Sequence, residues 1–124
     1  MAWQELGDGK YLLVTTVKRD GTKVPTPLWV ARDGDDLVVW TVRSSGKVKR
    51  IRNNPRIEVA PCDIRGNPAG ASVPASARLL DEAGTARARK LIIRKYGLVG
   101  RILVWASRFR RGYDGTIGIA ISPV

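Results

Sequence analysis

The stretch Trp40-Thr41-Val42-Arg43-Ser44-Ser45-Gly46-Lys47-Val48-Lys49-Arg50-Ile51-Arg52-Asn53-Asn54-Pro55 decides how this chain is read. An apolar, β-branched run from Leu37 to Val42 gives way to small polar residues. A short basic helix then opens, and Pro55 closes it. Backbone N–H groups at a helix start lack partners, and the helix dipole adds partial positive charge there. A phosphate at that end would meet those donors, the hydroxyls of Ser44 and Ser45, a glycine at 46 that permits close approach, and Lys47. The plainer reading is a serine-capped surface helix whose basic side chains are only solvated. Val48 and Ile51 stand three apart and are expected to face the core, leaving Lys47 and Arg50 on a neighbouring face.

Length and composition bound the alternatives. A chain of 124 residues, 44% hydrophobic, is expected to form one domain, 1–124, with a real core. It is too small to surround a large cofactor alone. No run reaches the ~20 apolar residues of a membrane helix, and Met1-Ala2-Trp3-Gln4-Glu5 carries no signal-peptide pattern. Cys62 is the only cysteine, so no internal disulfide forms and a reducing cytosol is the expected location. The absence of histidine excludes histidine acid–base chemistry and histidine zinc ligation, and no metal site is expected. Charge is uneven: residues 1–42 hold five basic and six acidic side chains, residues 43–124 seventeen basic and five acidic. That asymmetry implies an anionic partner for the second part of the chain.

Tyr11 to Val17 reads as a strand, with a tight turn at Asp20-Gly21. Val24 to Ala31 reads as a second strand, and Pro25 and Pro27 require an edge or a side where its N–H groups would be unpaired. Asp33-Gly34-Asp35-Asp36 turns into the third strand, and the three are expected to form an antiparallel meander. Strands are expected again over Arg56 to Ala60 and Ala75 to Leu80, separated by a proline- and glycine-rich loop. Asp81 is placed to cap a helix from about Ala83 to Tyr96 with Ala88, Leu91, Ile92 and Tyr96 on one face, ended by Gly97. A second amphipathic helix is expected from Leu98 to Arg111, burying Leu98, Ile102, Trp105 and Phe109. Thr116 to Ser122 closes the chain as a strand with one buried face, Ile117, Ile119 and Ile121. The sum is mainly β with helices, a six- or seven-stranded antiparallel sheet with two or three helices, and short strands with such turns favour a closed barrel.

These residues resemble the split β-barrel flavin-binding superfamily that includes pyridoxamine-phosphate oxidase and the deazaflavin-dependent reductases of actinobacteria. The resemblance rests on Trp40-Thr41, Ser45-Gly46-Lys47 and Asn54-Pro55, with Tyr11-Leu12-Leu13-Val14-Thr15-Thr16, Val24-Pro25-Thr26-Pro27-Leu28-Trp29 and Ala60-Pro61-Cys62 behind it. Thr41, Ser45 and Lys47 match the oxidases' phosphate-holding pattern, while Gly46 replaces the family's arginine. Pro25 stands where the oxidases place another phosphate-holding arginine, and the missing histidine argues against pyridoxamine-phosphate oxidation. The resemblance implies a six- or seven-stranded antiparallel Greek-key split barrel with two or three helices, in a homodimer with cofactor at the subunit interface.

It further implies an oxidoreductase transferring a hydride from reduced coenzyme F420 to an electron-poor small molecule of quinone, enone or tetrapyrrole type. The basic surplus fits the lactyl phosphate and polyglutamate tail of F420 better than FMN. Thr41, Ser44, Ser45, Gly46 and Lys47 would hold the phosphate, assisted by Lys49 or Arg50, although solvation is the favoured reading of Lys49 and Arg52. Val24, Pro25, Thr26, Pro27, Leu28 and Trp29 would line the ring, with Ala60, Pro61 and Cys62 near it. Arg56, Arg65 and Arg78 are candidates for the tail. No catalytic residue is singled out; Tyr11, Tyr96, Tyr113 or solvent would supply a proton. An FMN-binding split barrel and a non-catalytic F420-binding or storage protein are the alternatives. Nucleic acid is not expected, since no reading motif is present. The basic helix near 98–111 reads as reaching the cofactor tail, lying on an anionic membrane surface, or presenting a solvated face.

Overall fold

The computed structural model describes residues 3–111 and 115–124, with the side chains of 3–97 and 115–124. The elements run α1 (Trp3–Leu6), β1 (Tyr11–Val17), β2 (Lys23–Leu28), β3 (Val30–Asp33), β4 (Asp36–Val42), α2 (Gly46–Asn53), β5 (Arg56–Cys62), β6 (Val73–Leu79), α3 (Glu82–Arg111) and β7 (Thr116–Pro123). All seven strands belong to one antiparallel sheet in the order β2-β1-β5-β6-β7-β4-β3. The sheet curls around a single apolar interior built from Leu12, Val14, Leu37, Val39, Val59, Ile119 and Ile121, each at most 1% exposed.

The expected three-strand meander does not form. What reads as one run from Val24 to Ala31 is two strands joined through Trp29, and they lie at opposite ends of the sheet order. The prolines explain the break. In an antiparallel strand the N–H and C=O of one residue point to the same side. Pro25 and Pro27 share a parity, so the side of β2 facing away from β1 has lost those donors and cannot take another strand. The chain therefore leaves the sheet at Trp29 and re-enters at the far edge, which brings the two ends of the curl together.

The closing strand also differs from expectation, because both of its faces are buried. Ile117, Ile119 and Ile121 point inward, while Thr116, Gly118 and Ala120 are covered on the outside. Helix α3 provides that cover, with Ala88 and Ile92 fully buried and Leu91, Tyr96, Trp29 and Trp40 packed around them. A Cβ on Gly118 would stand 2.8 Å from the Ala88 Cβ, so glycine is what lets the helix settle on the strand. Asp81 caps α3 as expected, its Oδ1 accepting from the Gly84 N–H at 2.8 Å. The helix breaks at Gly97, whose φ of 64° and ψ of −140° lie outside helical space. The burial expected of Leu98, Ile102, Trp105 and Phe109 lies outside the described side chains.

Candidate functional site

Helix α2 forms because Val48 and Ile51 can enter the barrel end, where they are 1% and 3% exposed. Seating that face fixes the others. Lys49 and Arg52 point to solvent, and Lys47 and Arg50 lie over the rim of the barrel. The Lys47 Nζ donates to Thr41 Oγ1 at 2.9 Å, and the Arg50 Nε donates to Thr16 Oγ1 at 2.6 Å. Thr41 and Thr16 are buried residues of β4 and β1, so the two cations are tied to strands on different sides of the mouth. Burial, and then the Arg50 charge, hold the Lys47 pKa below its ordinary value. An anion near Lys47 would relieve both penalties.

The helix start is short of partners. Ser45 has the extended backbone of an N-cap (φ −68°, ψ 155°), yet its side chain makes no capping bond. Its Oγ is buried and has no hydrogen-bond partner. Ser44 beside it is exposed. The room expected at Gly46 for a ligand is occupied instead: a Cβ there would lie 2.7 Å from the Arg50 Nη1, so the guanidinium of the next turn lies over the helix start. Lys18 and Arg19, from the turn after β1, line a cavity with Gly46, Lys49 and Arg50. The sequence reading passed over these two, because nothing in a Lys-Arg-Asp-Gly turn announces which helix it will face.

Strand β2 runs from this cradle to an aromatic pocket. Val24 is paired with Thr16 beside the Arg50 anchor, and Leu28 is paired with Leu12 at the other end. Four residues of strand separate those levels, about 13 Å. Beyond Leu28, a pocket of about 270 Å³ is lined by Tyr11, Pro27, Leu28, Trp29, Trp40 and Ile92. Trp29 is stacked on Tyr96 with ring centroids 4.3 Å apart, so one of its faces is already covered. The indole Nε1 of Trp40 is buried without a partner.

Ala60, Pro61 and Cys62 lie on β5, across β1 from Pro27 and Leu28. They share the level of the aromatic pocket but are separated from β2 by a strand. Burial, and then the Asp63 charge, push the Cys62 thiol pKa up, which makes it a poor nucleophile. Of the tyrosines, Tyr96 is committed to structure: its Oη donates to the Lys10 carbonyl at 2.5 Å and accepts from the Val30 N–H at 3.1 Å. Tyr11 lines the pocket, and Tyr113 lies outside the described residues. Arg56, Arg65 and Arg78 do not gather at one place. They stand on β5, in the following loop and on β6, and Arg78 reaches toward Asp36 at 3.9 Å. Among the described residues no cluster of side chains suits a metal ion, and no helix is long and apolar enough to cross a membrane.

No family model matches the sequence, and none of the curated proteins matches it. Solved structures do match. An F420 reductase superposes with a TM-score of 0.66 at 21% identity, covering 100% of this chain and 94% of its own. An FAD-binding protein from Mesorhizobium loti gives 0.64 at 16% identity, covering 95% and 82%. HutZ, the heme storage protein from Vibrio cholerae, gives 0.69 at 11% identity, covering 97% and 86%. With seven antiparallel strands curled around one core and a short helix set in the mouth, this chain has the split β-barrel fold that those proteins share.

Proposed function

We propose that this protein binds a phosphate-bearing tricyclic redox cofactor, coenzyme F420 in preference to FMN, and acts as an F420-dependent reductase of electron-poor small molecules. The observation that carries the reading is the unpartnered Ser45 Oγ at the start of α2, the helix that carries the half-buried Lys47 and Arg50. A buried hydroxyl without a partner costs about 1–3 kcal/mol, and a phosphate oxygen at that point would take its proton in a hydrogen bond. Lys47, Arg50, Ser45 and the first N–H groups of α2 then form one donor set for a dianion.

When bound, the reduced deazaflavin supplies the hydride. The chain's own residues hold and shield it. Edge strand β2 offers backbone along the path from cradle to pocket, and Pro27, Leu28, Trp29 and Trp40 form an apolar wall that excludes water. Tyr11 is the phenol at that wall, and we assign it the role of proton donor to the acceptor. The pocket is open on one side and would leave a ring within it partly exposed, which supports a homodimer in which the partner completes the site.

Titrating F420, FMN and FAD while following tryptophan fluorescence tests the proposal, since Trp29 and Trp40 line the pocket. F420 is expected to bind with the highest affinity. Equal affinity for FMN overturns the preference, and no binding by any of the three overturns the site. A non-catalytic F420 carrier is favoured by one observation: Cys62 and Tyr96 are both withdrawn from chemistry. Turnover with a quinone or an enone distinguishes the two readings.

A further inference from the structure

The cations around α2 fall on two sides of its first turn. Lys47 faces Thr41 in the barrel mouth. On the other side opens a cavity of about 370 Å³ whose walls carry Lys18, Arg19, Lys49 and Arg50. No carboxylate is among its described lining residues. Asp20, next in the chain, is turned into its own loop, where Oδ1 accepts from the Thr22 N–H at 2.9 Å. Three cations elsewhere on the chain stand against carboxylates, in Lys23–Glu58, Arg32–Asp8 and Arg87–Asp33. Four like charges around one hollow repel each other, and an anion in the hollow removes that cost.

Gly46 forms the wall between the two sides. The Arg50 Nη1 occupies the space that a side chain at 46 would need, while its Nε is held by the buried Thr16 hydroxyl. One guanidinium is thereby fixed where it faces both the helix start and the cavity.

We propose that this cavity is a second anion subsite, adjoining the cradle at α2, which takes a run of carboxylates or phosphates on Lys18, Arg19, Lys49 and Arg50. Position 46 is glycine so that Arg50 can stand between the two. The proposal rests on the cradle reading only for what bears the charge. A tail on the cofactor itself and a separate polyanion offer the same chemistry.

The test compares wild type with the double variant K18Q/R19Q and with G46A, using F420 carrying its oligoglutamate tail, FMN and inorganic tripolyphosphate as probes. Both altered regions are surface features, and circular dichroism checks the fold. If the cofactor's tail fills the subsite, K18Q/R19Q weakens F420 about three- to tenfold and flattens its salt dependence, while FMN changes by less than about twofold. If a separate polyanion fills it, both cofactors are unaffected, and the thermal stabilisation of wild type by tripolyphosphate disappears in the variant. G46A, which displaces the tip of Arg50 shared by the cradle and the cavity, is expected to weaken F420 and FMN alike, and unchanged FMN binding in it overturns the place of Arg50 between the two. Unchanged F420 affinity together with unchanged tripolyphosphate stabilisation overturns the proposal, and leaves the cradle standing provided that cofactor binds. Stabilisation by tripolyphosphate without cofactor binding does the reverse.

Discussion

Replacing Lys47 with methionine keeps the apolar stem and removes the charge, and its consequences for binding and for folding run in opposite directions. A hydrogen bond to a charged group contributes about 1.5–3 kcal/mol, so the variant should bind F420 roughly 10- to 150-fold more weakly. Folding responds differently. The Lys47 pKa is depressed by burial and by Arg50, so its charged form is worse off in the folded chain than in the unfolded one. Loss of the charge removes that penalty, while Thr41 Oγ1 loses its 2.9 Å donor. The two effects nearly offset, leaving stability within about 1 kcal/mol of wild type. The sign with pH follows from linkage. Approaching the ordinary value of 10.5 from below, the unfolded chain holds more protons on Lys47 than the folded one, so wild-type stability rises with pH. Over the same interval Lys47 loses its charge in the free protein, so affinity for the cofactor falls. K47M should show neither trend. Thermal melts and fluorescence titrations from pH 7 to 10 measure both. A variant that melts far below wild type yet binds F420 as tightly would make Lys47 a structural strut and refute the assignment.

Other outcomes follow from contacts remote from the cradle. Gly118→Ala places a methyl 2.8 Å from the Ala88 Cβ and 3.2 Å from the Thr85 Cα; it should cost about 1–3 kcal/mol, and an unchanged melting temperature would contradict the close seating of α3 on β7. Tyr96→Phe leaves the Val30 N–H without its 3.1 Å acceptor, for a loss of about 1–3 kcal/mol and faster hydrogen exchange at Val30. Asp33→Asn removes the negative charge and the second oxygen that accepts from Arg87, whose hydrogen bonds hold the carboxyl below its ordinary value. The wild-type carboxylate therefore contributes stability above that value and loses it as pH falls through the folded pKa. Because the Arg87 side chain is 66% exposed, the acid-unfolding curves of wild type and Asp33→Asn should differ by less than about 1 kcal/mol.

Local pattern carried most of the fold, and long-range arrangement was where it stopped. The β-forming run Tyr11 to Val17, the cap at Asp81 and the break at Gly97 are properties of a few adjacent residues, and each stands where the sequence put it. The prolines at 25 and 27 correctly marked an edge strand. They did not reveal that Trp29 is a corner, because the apolar run Leu28-Trp29-Val30-Ala31 continues across it and only the strand order shows the break. Thr116, Gly118 and Ala120 read as a solvent face because small residues suit one; they suit a helix packed on them equally well. In the site, the inward faces of Val48 and Ile51 followed from helical spacing, and with them the placing of Lys47 and Arg50. Lys18 and Arg19 approach α2 through tertiary structure alone, which no window of sequence contains.

The split in the barrel and the site have one cause. An edge strand ordinarily offers N–H and C=O groups in alternation and invites another strand. The outward edge of β2 lacks N–H at both Pro25 and Pro27, so at those positions it presents carbonyls alone. A strand pairing there would leave its own carbonyls facing the proline rings with no donor to meet them. A planar ligand with N–H groups on its edge can pair there instead. The same two prolines therefore keep the sheet from closing at that edge and blunt it against pairing with another chain. β2 runs from the cationic rim at Thr16 to the aromatic pocket at Trp29. Under the proposed function, the unclosed seam thus spans the distance between the phosphate and the ring of the cofactor.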